Sequence, residues 1–240
     1  MYRRARAICR RHELERALIR AREEGATASK NLEMAEKVDG RRARGDRARG
    51  EILQHALGLA SVQGLEGLTI GQLAADAGIS KGNISVLFGD KESLQLATMD
   101  AYVERFVKQA VEPALRKRSP IARLRALCDG WFERIEARVL PGGCFMYATA
   151  HEYRARPGVL RDRAASDLKR WRDLLETQLV QAEEAGELAR DVDVRSAVLT
   201  LVSYQNTAHL AQTMDDDETF AHAWRLSREY LRSLTLKRKS

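Results

Sequence analysis

Proline is nearly absent from this chain, with four residues in 240, at positions 113, 120, 141 and 157. Cysteine is rarer still and occurs only at positions 9, 128 and 144. The number is odd, the spacing is wide, and there is no Cys-x-x-Cys pair. That excludes a disulfide framework and a structural zinc site, and makes a reducing cytoplasm the expected home. No run approaches the ~18–20 apolar residues of a membrane span, and the Arg-rich N-terminus lacks the apolar centre of a secretion signal. Period-two alternation of β-branched and polar residues is missing, so strands are not expected. What remains is runs of Ala, Leu, Arg and Glu in a chain that is 44% hydrophobic and 31% charged, which reads as a soluble helical protein.

The formal net charge of +7 is unevenly placed: residues 1–46 carry +5 and the remainder only +2. A basic arm of this kind suits an acidic polymer as partner. Residues 1–33 have the composition of a solvated helix. Met34 then reads equally well as a translation start and as part of a genuine helical extension. Three segments are expected: a basic extension over 1–46, a small helical unit over 47–95 and a larger helical unit over 96–236.

From Arg47 onward apolar residues recur at helical spacing. Ile52, Leu53, Ala56, Leu57, Leu59 and Ala60 predict an amphipathic helix that ends near Gln63-Gly64. Thr69, with Gln72 three residues on, predicts a capping box at the head of a second helix. Gly78 supplies a left-handed turn and Ser80 caps a third helix. Asp90, with Ser93 three residues later, starts a fourth that runs toward Pro113. Longer helices are expected at about 121–138, 160–184, 194–214 and 218–236, with a short one at 144–153.

The stretch Thr69–Leu94 carries the most information. Two short helices hinged at Ala77-Gly78 are a device for placing the second one in a DNA major groove. Thr69, Leu73-Ala74, Ala77-Gly78-Ile79-Ser80, Gly82 and Phe88-Gly-Asp-Lys91-Glu-Ser-Leu94 together resemble the TetR family of bacterial one-component regulators, and the resemblance runs from about Arg47 to the C-terminus. The chain departs from the family pattern at three places. Asn83 stands where Thr or Ser is usual, Ser85 where an aromatic residue, mostly Tyr, is usual, and Val86-Leu87 where His-Tyr is common.

The resemblance implies an all-α fold: an N-terminal three-helix helix-turn-helix DNA-binding domain, and a larger C-terminal helical domain for ligand binding and dimerisation. It implies a homodimer on a double-stranded, palindromic DNA operator, acting as a repressor released by an unknown small-molecule effector. The candidate DNA-binding residues are Arg44, Arg47, Thr69, Ser80, Lys81, Gly82, Asn83, Ser85 and Lys91. Thr69 and the free amides behind it suit a phosphate, and Asn83 can make a paired donor–acceptor contact with adenine. Arg41, Arg42, Arg44 and Arg47 suit an adjacent minor groove, and Lys91 a backbone phosphate. Leu73, Ala74, Ala77, Ile79, Ile84, Leu87, Phe88 and Leu94 are expected to build the three-helix core.

The candidate ligand-pocket residues are Trp131, Phe145, Tyr147, His151, Trp171 and Tyr204, with polar contacts from Cys144, Gln205, Asn206 and His209. No catalytic residue, cofactor or metal is expected. Gly78-Ile-Ser80-Lys-Gly82 matches the Gly-x-Ser-x-Gly hydrolase elbow, but that elbow needs a strand feeding it, and Leu73–Ala77 reads as helix. His151-Glu152 opens like a His-Glu-x-x-His zinc motif, yet position 155 is Ala.

Overall fold

A computed structural model describes residues 45–235. Cys9, Met34, Arg41, Arg42, Arg44 and the terminal basic residues 237–239 lie outside that range. Residues 45–51 are helical and exposed. The unit that begins at Ile52 opens with helix α1 (52–63). It continues through α2 (Ile70–Ala77), α3 (Lys81–Phe88), α4 (Lys91–Phe106), a π turn (Val107–Val111) and α5 (Glu112–Leu115). The helices α6 (Pro120–Glu136), α7 (Phe145–Tyr153), α8 (Val159–Glu184), α9 (Val194–Thr213) and α10 (Asp217–Ser233) follow. Among the described residues the only extended pairing is a single backbone bridge between Leu188 and Thr235. No described helix is long and apolar enough to cross a membrane.

Local chemistry sets the helix starts. Thr69 has extended backbone, and its Oγ1 accepts from the Gln72 amide at 3.2 Å, a cap worth about 1 kcal/mol. The return arm of the expected capping box is not made. The Gln72 side chain instead donates to Gln63 Oε1 at 3.1 Å and accepts from the Thr69 hydroxyl at 3.3 Å, because the end of α1 comes within its reach. Gly78 takes φ 66°, and its amide and that of Ile79 both reach the Ala74 carbonyl, which ends α2 where a side chain would be strained. Ser80 Oγ accepts from the Asn83 amide at 3.2 Å. Asp90 accepts from the Ser93 amide at 2.8 Å, and that bond holds its carboxyl below the usual range.

Apolar positions on α1 to α4 and in the loop between α1 and α2 close a small core. Leu57, Leu68, Leu73, Ile84 and Leu94 are fully enclosed, with Ala74 and Phe88 beside them. Ala77, Ile79 and Leu87, expected in that core, are only half-buried at its edge. The fourth helix does not run evenly to Pro113. The Glu112 amide reaches back to the Val107 carbonyl, five residues away. Proline has no N–H, and its ring crowds the carbonyl four residues earlier, so the turn before it widens.

The larger group of helices packs around an aromatic centre. Tyr102 lies 5.2 Å from Phe145, Phe106 meets Trp171 edge-on at 5.4 Å, and Trp131 meets Phe132 at 5.0 Å. Pairs of this kind add about 0.5–1.5 kcal/mol beyond their burial. Arg163 on α8 ties α4 to this group through Asp100 at 2.5 Å and also holds Asp167 at 3.1 Å.

Candidate functional site

The outer face of α3 is set by its inner one. Ile84 and Phe88 are buried, so the 3.6-residue period turns Lys81, Gly82, Asn83 and Ser85 to solvent. Val86 is 86% exposed, one turn beyond Asn83 on the same face. An apolar side chain there has no folding role and matches a thymine methyl in a major groove. Its place in the helical period was the available signal, but a Val reads as core on composition alone. Lys81 lies back over the first turn of α2, its Nζ 3.5 Å from where a Cβ on Gly71 would stand. Thr69, the open amides of α2 and the Lys81 ammonium therefore share one corner. Arg47 is exposed within 45–51. Arg44 lies outside the described residues. Ser80, the hydrolase-like serine, spends its hydroxyl on capping α3.

Lys91 is placed differently from the expectation of a free phosphate ligand. Its Nζ donates to the Glu66 carbonyl and to Glu66 Oε1, both at 2.7 Å. It belongs to a junction around the α1–α2 loop. Tyr153 at the end of α7 donates to Glu66 Oε2 at 2.9 Å. Lys91 first and Tyr153 second hold the Glu66 carboxyl below its usual range. Gln95 Nε2 donates to the Leu65 carbonyl at 2.8 Å. Glu152 takes the amides of Leu65 and Glu66 at 2.8 Å, one on each carboxylate oxygen. The zinc-motif glutamate is thus a clasp on the backbone of a loop 86 and 87 residues away. Beside it Gly142 is pressed so closely on the end of α1 that a Cβ there would stand 1.5 Å from the Ser61 carbonyl oxygen.

A cavity of about 280 Å³ opens between α7, α8 and α9. Tyr147, His151 and Trp171 line it, together with Arg172, Ser203 and Asn206. Of the other candidate pocket residues, Trp131, Phe145 and Tyr204 stand outside this lining. Trp131 and Phe145 are 1% and 2% exposed and form the aromatic centre, and Tyr204 turns to Tyr230 on α10. Residue type marked these side chains as aromatic but did not separate core from cavity wall. Cys144 is enclosed next to the Tyr102 hydroxyl at 3.7 Å. Burial pushes its thiol up, away from the reactive thiolate. Gln205 and His209 are buried as well. His209 Nδ1 accepts from the Cys144 amide at 3.3 Å, and burial first, then the charge of His151, lowers its pKa to about 4.

The model of "Bacterial regulatory proteins, tetR family" matches residues 52–98, and that of the "Tetracyclin repressor-like, C-terminal domain" matches residues 120–227. The chain belongs to the TetR family. In TetR terms α2 and α3 are the helix-turn-helix pair, and α4 leads from that N-terminal domain into the larger C-terminal one. The HTH-type transcriptional regulator BetI of Yersinia pestis is 36% identical over 88 residues, covering 35% of this chain. The chain spans 44% of the length of that curated relative, and the same holds for BetI of Serratia proteamaculans. A TetR transcriptional regulator from Chloroflexus aurantiacus superposes with a TM-score of 0.72 at 26% identity, over 80% of this chain and 98% of that one. A TetR-family regulator from Cytophaga hutchinsonii gives 0.71 at 21%, over 81% and 98%. The fold is shared too by AibR, solved with isovaleryl coenzyme A and operator DNA, with a TM-score of 0.59 at 21% identity, over 75% and 97%.

Proposed function

We propose that the protein is a sequence-specific DNA-binding transcriptional regulator, a repressor released from a palindromic operator when a small molecule binds its C-terminal domain. The observation that carries the reading is the exposed face of α3, where Lys81, Asn83, Ser85 and Val86 project from a helix capped by Ser80 inside the tetR-family match. Asn83 and Val86 read bases, Ser80, Gly82 and Ser85 lie against the groove wall, and Thr69 with Lys81 holds a phosphate. Lys91 acts through Glu66 by fixing the loop behind α2. Arg44 and Arg47 belong to a basic arm for the neighbouring minor groove. The DNA-binding domain spans 47–95 and the regulatory and dimerisation domain 96–236. The role is regulatory rather than enzymatic, and the location cytoplasmic.

A homodimer is supported by α9, which carries Leu199 and Leu210 at 66% and 53% exposure, with Met214 at 71% just past its end, apolar side chains whose burial by a second copy would be favourable. An effector is supported by the cavity and by α7, whose His151 faces the cavity while the next residue clasps the α1–α2 loop. AibR, solved with both a coenzyme A thioester and operator DNA, is consistent with such a pairing. The test is a salt titration of binding to a selected duplex. Replacing Lys81 with Ala should weaken binding to all sequences and lower the salt slope by about one per domain. An unchanged slope removes Lys81 from the phosphate contacts.

A further inference from the structure

The lining of the α7–α8–α9 cavity is chemically lopsided. Its floor is made by two buried aromatic side chains whose donors are already engaged. Tyr147 donates to the Val202 carbonyl at 3.3 Å, and the Trp171 indole N–H donates to Gln205 Oε1 at 2.8 Å. With those donors spent inside the protein, the floor is apolar. The rim is polar and exposed, formed by His151, Arg172, Ser203 and Asn206. No carboxylate lines the cavity, and Arg172 makes no ion pair among the described residues. Of the acidic residues near it on α8, Asp167 pairs with Arg163 and Arg170 and Asp173 with Lys169, while Glu176 one turn on lies outside the cavity lining and more than 4 Å from the guanidinium.

We infer that this cavity binds a small planar organic anion, an aromatic carboxylate of one or two rings. Its ring lies on Tyr147 and Trp171, and its carboxylate meets Arg172 with Asn206 as a further donor, the Ser203 hydroxyl being spent on the Leu199 carbonyl at 2.7 Å. The volume of about 280 Å³ sits at the lower edge of the ~300–1,000 Å³ typical of ligand pockets, which sets the limit of one or two rings. Arg presents a planar fork of donors that matches a carboxylate, and such charge-assisted bonds are the stronger kind. A quaternary ammonium ion is also attracted to aromatic faces, but here it would meet a guanidinium and no countercharge. The inference deepens the reading of the C-terminal domain as the effector-binding part and rests on it.

Calorimetric titration of the full-length protein with benzoate and indole-3-acetate tests it, with benzamide and tetramethylammonium as the neutral and cationic probes. The expected result is saturable binding of at least one carboxylate, weaker binding of benzamide and none of tetramethylammonium. Arg172→Gln should weaken the carboxylate about tenfold and leave benzamide unchanged. Leu168→Trp, on the α8 wall of the cavity, should block all of the probes while the circular dichroism spectrum stays that of the wild type. Absence of saturable carboxylate binding at millimolar concentration, equal affinity in Arg172→Gln, or preference for tetramethylammonium overturns the inference. DNA release is read separately. Arg172-dependent binding that leaves operator affinity unchanged upholds the ligand class and counts against the effector reading.

Discussion

Replacing Glu152 with Ala removes both acceptors that hold the α1–α2 loop to α7. The carboxylate wraps the turn so closely that a Cβ on Gly64 would stand 2.9 Å from Oε1, and it receives one amide on each oxygen. Hydrogen bonds to a charged group are worth about 1.5–3 kcal/mol each. The Glu66 amide is exposed and lies at the low end, while Leu65 is enclosed, so opening of the loop should become easier by about 3–4.5 kcal/mol. At ~1.4 kcal/mol per tenfold, even the lower figure gives a roughly 100-fold loss of protection. Hydrogen exchange of the Leu65 and Glu66 amides in the folded protein reads it directly. Glu152→Gln is the informative control. An amide side chain has one oxygen and turns an NH₂ toward the other donor, so one of the two amides should lose its protection and the other keep it. Wild-type protection of both amides in Glu152→Ala would refute the clasp.

Gly142→Ala places a methyl group against the Ser61 carbonyl, which is backbone and cannot rotate away. Overpacking of this kind costs about 1–3 kcal/mol and should lower the melting temperature by several degrees, whereas Gly130→Ala, with nothing within 4 Å of its Cβ inside α6, should hold or raise it. Equal melting of the two variants would contradict the close approach. His209 is kept neutral in the fold, with a pKa of about 4 against an ordinary 6.5. The unfolded chain then takes up the proton first, so this contribution is complete above pH 6.5 and is lost as the pH falls toward 4. By pH 4.5 the loss should amount to about 2.5 kcal/mol. Urea unfolding at pH 7 and pH 4.5 should show that extra loss in the wild type and not in His209→Gln, and parallel pH dependences would disprove it.

The features set by adjacent residues were readable from the sequence. Thr69, Gly78, Ser80 and Asp90 cap or end their helices as their types demand, because each acts on amides or carbonyls within five positions. The period of Ile84 and Phe88 fixed which side of α3 faces outward. Features made between distant segments were not readable. Gln72 has a stronger claim from Gln63 than from its own helix start. Pro113 was visible as an end, yet its effect fell on the turn before it. Glu152 looked like half of a metal motif because its real partners, the amides of Leu65 and Glu66, carry no sequence signature. Trp131, Phe145 and Tyr204 share their residue types with the true cavity wall, and only packing separates them.

The central claim is that α3 reads base sequence as part of a symmetric dimer. Selection of bound duplexes from a random pool tests it most directly. The account predicts an inverted repeat whose half-sites are spaced by about one helical turn, ~34 Å, or a multiple of it, with Asn83→Ala losing its preference at one symmetric position. A pool with no enriched repeat, or an identical repeat selected by both proteins, would contradict it.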